Sequence, residues 1–399
     1  MTVERIYLDW NATAPLRPQA LAAMLAALDE MGNPASIHAE GRKAHAIVER
    51  ARADVAALVG AEPPNVIFTS GATEAAAHAL TPEWSGGGRI CRLFVSAIEH
   101  PCVLTGGRFA ARDTESVPVT PGGVADLVEL KQRLEADDLK QGRPLVALMA
   151  ANNETGIIQP VAEAAALVHA VGGLVVCDAV QYAGHLPTDI RALGADVLLL
   201  SAHKLGGPKG VGALVLADER IAPAPLLTGG GQERRQRAGT ENVAAIAGFG
   251  AAAKATKAAS DDTPRIAALR DRLETALNDD AGGLKVYKYG LKWSLKSHCT
   301  NNSGLARLPN TTLLAMPGVS AQMLLMQLDL AGFAVSAGAA CSSGKLAASH
   351  VLAAMGLPPD IAGGAIRVSI GKTTTAGDIE RFIAAWTEID AARAKREAA

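Results

Sequence analysis

The sequence predicts an α/β protein: a large, mostly parallel sheet covered by helices, followed by a smaller α+β section. Three observations predict it. Short apolar runs alternate with stretches of helical periodicity, most of those runs end in a polar or glycine-rich turn, and beyond about Ala258 the alternation gives way to a different pattern. The first clear element is a helix. Ala44, Ile47, Val48, Ala51, Val55, Leu58 and Val59 recur at helical spacing among Glu49, Arg50, Arg52 and Asp54, and Gly60 ends it. Six strands follow: Val66 to Phe68, Leu93 to Val95, Leu145 to Met149, Leu174 to Cys177, Val197 to Leu200 and Ala213 to Leu216. Their near-unbroken apolar character is that of strands buried on both faces, as in parallel sheets. The smaller section opens with a helix from Ile266 to Leu277 and continues through a basic stretch and a second α/β part. It closes with a helix marked by Ile379, Phe382, Ile383, Trp386 and Ile389. The alanine-rich end beyond Asp390 reads as frayed.

At 399 residues and 49% hydrophobic content, the chain exceeds one typical domain and can bury a large core. Its 38 Lys and Arg nearly cancel 40 Asp and Glu, which argues against nucleic-acid or membrane-surface partners and for a small neutral substrate. No apolar run approaches the roughly 20 residues that span a bilayer. Met1 to Trp10 mixes Glu4, Arg5 and Asp9 with single apolar residues, unlike a signal peptide or an Arg-rich presequence, so the expected location is the cytoplasm. The five cysteines, Cys91, Cys102, Cys177, Cys299 and Cys341, are scattered and form no CxxC pair. Neither a disulfide framework nor a metal site is expected, and a plain buried thiol is the first reading of each.

In open α/β sheets the carboxyl ends of the strands form the ligand crevice. The turns Thr69-Ser70-Gly71, Ser96 to His100, Asn152-Asn153-Glu154, Asp178 to Gln181 and Ser201 to Lys204 should therefore face one common site. Ser201-Ala202-His203-Lys204-Leu205-Gly206-Gly207 follows its strand directly and fixes a lysine amine there. Unprotonated, in an apolar or cationic setting, such an amine forms a Schiff base with an aldehyde cofactor; the plainer reading is one more surface lysine in a turn. Asp178 closes another strand, where a carboxylate can keep the ring nitrogen of pyridoxal phosphate (PLP) protonated, although an Asp there also serves as a helix cap. Ser70-Gly71-Ala72-Thr73-Glu74 joins a strand to an alanine-rich helix, so free N–H groups and the Thr73 hydroxyl can bind an anion; the same pattern is that of a capping box. His100 follows a third strand, either as an imidazole stacked on the cofactor ring or as a hydrogen-bonded loop histidine.

With these segments stand Tyr7-Leu8-Asp9-Trp10-Asn11-Ala12-Thr13-Ala14-Pro15, Asn33-Pro34-Ala35-Ser36-Ile37-His38, Asn152-Asn153-Glu154-Thr155-Gly156 and Arg237-Ala238-Gly239-Thr240-Glu241-Asn242. Ser336-Ala337-Gly338-Ala339-Ala340-Cys341-Ser342-Ser343-Gly344 and Ile366-Arg367-Val368-Ser369-Ile370-Gly371 complete the set. Almost end to end, the chain resembles the cysteine desulfurases, PLP-dependent enzymes of fold-type I, the aspartate aminotransferase-like group, within the class V aminotransferases. The resemblance implies a large PLP-binding domain over 15–258 with a mostly parallel seven-stranded sheet, and a small α+β domain of 1–14 and 259–399 that carries the Cys341 loop. It implies that Lys204 holds the cofactor covalently, Asp178 pairs with the ring nitrogen, Gln181 bonds the ring hydroxyl and His100 stacks on the ring. Ala72, Thr73, Ser201 and His203 would contact the phosphate, joined by Thr240 from the partner subunit of a homodimer. Asn153 would lie beside the cofactor and, with Arg367, hold the substrate carboxylate, a role that suits a guanidinium fork. The implied reaction converts L-cysteine to L-alanine and leaves the sulfur as a persulfide on Cys341, to be passed to an acceptor or iron–sulfur scaffold protein.

Cys341 also differs from the other cysteines on its own terms. It sits in a run of Gly, Ala and Ser too small to pack firmly, where a core cysteine would have bulky apolar neighbours, and such a loop can carry a thiol to a reacting centre and away. The long glycine-containing segment, without paired histidines before the cysteine, points to the nitrogen-fixation/iron–sulfur-cluster type. His100 is the proton carrier that the resemblance implies. The chain departs from the family's pattern twice. Ala76 and Ala77 stand where the family often has asparagine, and 285–304, with aromatics between lysines, matches nothing in the family and reads as a solvated hairpin.

Rival readings have less behind them. Gly206 to Gly212 leads into a strand instead of a helix, against a dinucleotide site, and neither Gly344-Lys345-Leu346 nor Gly371-Lys372-Thr373 completes a P-loop. A selenocysteine lyase or another aminotransferase shares the implied fold, and Cys341 in its loop argues for sulfur. The non-enzyme reading is a catalytically silent scaffold, against which stands the joint presence of Lys204, Asp178, His100 and Cys341.

Overall fold

The computed structural model describes residues 5–86, 88–136, 142–258, 262–277, 306–316, 318–337 and 348–397; Cys341 with most of its loop, and the stretch 285–304, lie outside the described residues. In chain order come β1 (Ile6–Tyr7), α1 (Pro18–Leu28), α2 (Ala39–Leu58), β2 (Val66–Thr69), α3 (Ala72–Ala79), β3 (Trp84–Ser85), β4 (Ile90–Ser96), α4 (Pro101–Leu104) and β5 (Thr114–Val117). Next are α5 (Leu127–Ala136), β6 (Arg143–Ala147), α6 (Val161–Ala170), β7 (Leu174–Asp178), β8 (Val197–Ser201), β9 (Gly212–Leu216), β10 (Ala222–Pro223), α7 (Val243–Ala258) and α8 (Thr263–Ala276). The rest is β11 (Thr311–Ala315), α9 (Ala321–Leu330), β12 (Phe333–Ala334), β13 (Ser336–Ala337), α10 (His350–Ala354), α11 (Pro359–Ala362), β14 (Ala365–Ser369) and α12 (Ala376–Glu397).

Seven strands make the main sheet, in the order β2-β9-β8-β7-β6-β4-β5. Neighbours from β8 to β5 pair in parallel, and β9 runs antiparallel to both β8 and β2, so β9 alone is reversed. The expected α/β fold with a mostly parallel seven-stranded sheet is therefore present. The strand that the apolar runs do not reveal is β5, whose Thr-Glu-Ser-Val lies at the sheet edge and buries only Val117. Its Glu115 reaches Arg133 of α5 at 2.6 Å, a polar anchor in place of an apolar one.

Alternation across the pleat explains the unbroken runs elsewhere. In β8, Leu198 and Leu200 enter the core under α2, α5, α6 and α7, while Val197 and Leu199 enter the one under α3. Helix α7 comes close to α2 because Gly250 has no side chain: a Cβ there would lie 2.5 Å from the Ala51 Cα. A third core joins Ile6 and Leu8 to α8, α9, α12 and the three-stranded sheet β11-β14-β13, with Phe333 edge-on to Phe382 at 5.3 Å between ring centres and Trp386 wholly buried. β1 pairs in parallel with β12. Contrary to the expected fraying beyond Asp390, α12 continues to Glu397, with Asp390 paired to Arg393 one turn on at 2.8 Å. No helix among the described residues is long and apolar enough to cross a membrane.

One loop carries strain. Glu233, Arg234 and Arg235 have φ values of 43°, 52° and 67°, left-handed at three consecutive non-glycine residues, which costs on the order of 1 kcal/mol each. The buried Glu233 carboxylate holds the turn by accepting from Arg52 at 2.7 and 2.9 Å and from Phe68 N at 2.9 Å.

Candidate active site

β2, β4, β6, β7 and β8 share one direction, so their carboxyl ends open on one side of the sheet, and reversed β9 brings Gly212 to the same side. Gly212 lets β9 approach the start of α3, since a Cβ there would lie 2.8 Å from the Gly71 backbone. A cavity of about 940 Å³ opens at this edge. Ala72, Thr73, His100, Asn153, Asp178, Gln181, Ser201, His203, Lys204 and Arg367 all line it. Thr240 is exposed and is not part of the lining, and Cys341 falls outside the described residues.

Lys204 ends the short turn that follows β8, and its Nζ donates to the carbonyls of Asn11 at 2.5 Å and Ala12 at 3.0 Å. Burial, then Arg367, lowers its pKa to about 8 against the opposing pull of Asp178 and Asp9. About one such amine in ten is then neutral at pH 7, where an ordinary lysine offers a few in ten thousand. Asp178 ends β7 fully buried; its Oδ1 accepts from Val180 N at 2.9 Å, and burial raises its pKa to about 6 although Val180 N and Lys204 pull it down. A carboxylate in that position is short of positive charge. Gln181 Nε2 donates to Asn11 O at 3.0 Å.

At the start of α3 the capping-box reading of the sequence fails and the open helix start remains. The N-cap is Gly71, with no side-chain cap; Glu74 Oε2 accepts from Ser70 N at 2.7 Å, while a Cβ on Gly71 would meet nothing within 4 Å, so the helix start faces open space. Arg237 pairs with Glu74 at 2.9 Å, which keeps that carboxylate from opposing an anion. His203 lies 2.6 Å from the Thr13 hydroxyl, and burial, Lys204 and Lys209 lower its pKa to about 4, so the ring is neutral.

His100 also serves twice, because it caps α4: its Nδ1 accepts from Cys102 N at 3.3 Å and lies 3.0 Å from Cys102 Sγ. With Nδ1 accepting, the neutral ring carries its proton on Nε2. Burial, then Lys204 and His350, lowers its pKa. Arg367 is buried, with one terminal nitrogen donating to Asn153 O at 2.9 Å and the other paired to Asp9 at 2.9 Å; its Nε has no partner. A carboxylate arriving at Arg367 thus competes with Asp9.

Other lining residues carry no role in the sequence reading. Asn11 reaches Thr311 Oγ1 at 2.9 Å and Asn153 O at 3.2 Å and ties the N-terminal segment to both sheets. His350, at the start of α10, reaches Glu99 O at 2.9 Å, and nothing in the alanine- and serine-rich sequence around it signals that. Behind His100, Glu99 is wholly buried: Oε1 accepts from Met149 N at 2.6 Å, Oε2 has no partner, and burial followed by Asp178 pushes its carboxyl well above the usual range. Among the described residues no group of three or more His, Cys, Asp or Glu could hold a metal ion. The arrangement suits a cofactor with an aldehyde for Lys204, a basic ring nitrogen for Asp178 and an anionic group at the start of α3.

The family model described as "Aminotransferase class-V" matches residues 6–382. A cysteine desulfurase of Cereibacter sphaeroides is 40% identical over 387 residues, 96% of this chain and 94% of its own length. The solved structure of a NifS-like protein from Rickettsia africae is similar with a TM-score of 0.80 and 33% identity, covering 97% of this chain and 99% of that one. Another, titled "SspA in complex with cysteine", has a TM-score of 0.69 and 26% identity over 91% of this chain and 98% of that one. With an α/β sheet of this order, a half-buried lysine and a buried aspartate at adjacent strand ends and relatives of this coverage, the chain belongs to the class-V aminotransferase family and, within it, to the cysteine desulfurases.

Proposed function

We propose that this chain is a PLP-dependent enzyme that converts L-cysteine to L-alanine and takes up the sulfur as a persulfide on Cys341. The observation that carries the reading is the one cavity that gathers Lys204, Asp178, His100 and Arg367 in a chain 40% identical to a cysteine desulfurase. PLP, when bound, supplies an aldehyde for the substrate amine and an electron sink. Lys204 offers the amine for its covalent attachment, at a pKa of about 8. Asp178 would hold the proton on the ring nitrogen and offset its own burial, Gln181 would bond the ring hydroxyl and His100 would stack on the ring. Ala72, Thr73, Ser201 and His203 bind the phosphate at the start of α3. Asn153 and Arg367 bind the substrate carboxylate in competition with Asp9, and His100 keeps its exchangeable proton on Nε2.

The Cys341 thiolate attacks the substrate sulfur. The carbon–sulfur bond breaks, its electron pair stays with the carbon fragment, and that fragment is protonated and leaves as L-alanine, while Cys341 keeps the sulfur. Cys102, 3.0 Å from His100, is the competing thiol, but burial and then Asp178 push it up to about 12, so it stays protonated and inert.

The proposal includes a homodimer. Thr240 is exposed and apart from its own chain's cavity, as a residue serving a neighbour's phosphate would be. Helix α1 turns Leu21, Leu25 and Leu28 outward, an apolar face suited to a subunit contact. It also includes the division into 15–258 and 1–14 with 259–399, supported by the separate core around Leu8 and Trp386, and membership of the nitrogen-fixation/iron–sulfur-cluster type. Persulfide transfer to an acceptor or iron–sulfur scaffold protein in the cytoplasm completes the reading.

The test is L-alanine release from L-cysteine by the PLP-loaded protein beside its Cys341→Ser variant. Wild type should form alanine and acquire one sulfur on the peptide holding Cys341, read by mass spectrometry. The variant should keep the visible absorption of the cofactor and lose about 100-fold or more in rate, since a serine hydroxyl is scarcely ionised. Alanine formation at the wild-type rate in the variant overturns the role of Cys341, and none from either protein overturns the activity.

A further inference from the structure

We infer that a second cavity, behind the Lys204 turn, binds a small anion carried on an apolar body, a carboxylate or a phosphate monoester. This cavity, about 860 Å³, is walled by Lys204-Leu205-Gly206, the start of α1, the start of α8 and the segments 184–189 and 371–373. Arg17, Lys372 and His185 all line it, and both cations act on the His185 ring. Arg17 Nε donates to Leu205 O at 2.7 Å, and its two terminal nitrogens have no hydrogen-bond partner among the described residues. Lys372 stands 3.9 Å from Asp262, a carboxylate already shared with Arg265 at 3.6 Å. The remaining charged groups are engaged elsewhere: Lys257 donates to Ala57 O at 2.7 Å, Asp189 caps the amides of Arg191 and Ala192, and Lys204 Nζ points to carbonyls of the first cavity.

Arg17 and Lys372 are cations that both lean on Asp262, a carboxylate they share with Arg265, while the His185 ring is neutral near pH 7. Burial, then Lys372 and Arg17, lowers His185 to about 4, and burial, then Arg17, lowers Lys372. The 11-residue helix α1 begins here with Arg17 as its N-cap and no side-chain cap, so the positive end of its dipole opens on the same space. Trp10, Leu16, Pro18, Leu58, Ile266 and Pro309 supply apolar walls for the body of the ligand. Apart from Lys204, none of these residues belongs to the proposed reaction, so the inference stands independently of it.

The experiment uses the PLP-loaded protein and saturation-transfer-difference NMR with phenyl phosphate and benzoate as probes and inorganic phosphate as competitor. At least one aromatic anion should bind, and Lys372→Met should weaken it about tenfold, the loss of one charge-assisted hydrogen bond, with the visible absorption unchanged. Arg17→Met should do the same; because Arg17 also holds Leu205 O, Lys372→Met is the decisive variant should Arg17→Met fail to fold. Tighter phenyl phosphate or tighter benzoate each supports the site and names its anion. Absence of saturation transfer from both probes, or equal affinity in wild type and Lys372→Met, overturns it.

Discussion

Asp178→Asn isolates what it costs to bury a carboxylate for a partner that is not part of the chain. In the protein alone the carboxyl is fully buried, accepts one amide from Val180, and has its pKa raised from 3.8 to about 6. A raised pKa means that the folded protein binds this proton more tightly than the unfolded chain. The cost is therefore absent below about 3.8, grows as pH rises through the window to about 6, and is complete above it. The shift corresponds to about 3 kcal/mol at pH 7.5 and roughly half of that at pH 5. Asparagine is nearly isosteric, keeps the acceptor for Val180 N and carries no charge. Cofactor-free Asp178→Asn protein should accordingly resist urea better than cofactor-free wild type, by up to about 3 kcal/mol at pH 7.5 and less at pH 5, with unfolding followed by circular dichroism. Adding PLP should reverse the order, because the wild-type carboxylate then gains the ring-nitrogen cation and the amide does not. Equal or lower stability of the cofactor-free variant at pH 7.5 refutes the reasoning.

Lys204→Ala should abolish the visible absorption of the bound cofactor and leave the far-ultraviolet circular dichroism unchanged; an unchanged visible spectrum rejects Lys204 as the attachment point. The rate at which cofactor-free protein captures PLP should rise with pH and level off around a midpoint near 8, where Lys204 loses its proton, and a rate still climbing about tenfold per pH unit above pH 9 contradicts the lowered pKa. Mixed dimers of Lys204→Ala and Thr240→Val chains put both lesions in one site and leave the other intact, so verified heterodimers should recover activity that neither parent shows, and their inactivity counts against shared sites.

Lys204, Asp178 and His100 are legible in the sequence because each follows an apolar run that marks a strand end, and strands of one direction end on one side. β5 is illegible for the opposite reason: an edge strand that buries one residue in four has no apolar run to read. His350 and Asp9 are silent because the contacts that bring them to the site, with Glu99 O and Arg367, join residues 251 and 358 positions apart. At His100 the plain and the functional readings do not compete, since capping α4 uses Nδ1 and leaves the ring face and Nε2 free. The end of α12 reads as frayed only where alanine richness is taken for weakness, whereas Ala, Arg, Lys and Glu are the strongest helix formers.

The Arg52–Glu233 pair restricts how this sequence can drift. Removing Arg52 strands the Glu233 carboxylate in a nearly dry interior, at about 3–5 kcal/mol against a total margin of roughly 5–15 kcal/mol for a folded protein, and removing Glu233 leaves Arg52 only Glu49 at 3.0 Å and the Val66 carbonyl. Removing Glu233 also releases the tie on three left-handed residues. Neither position can then change first and wait for the other. Descendants of this sequence should retain both residues or have exchanged both in one step, and those that lost the pair should carry glycine or asparagine somewhere in 233–235, where these take the left-handed turn at little cost without the tie.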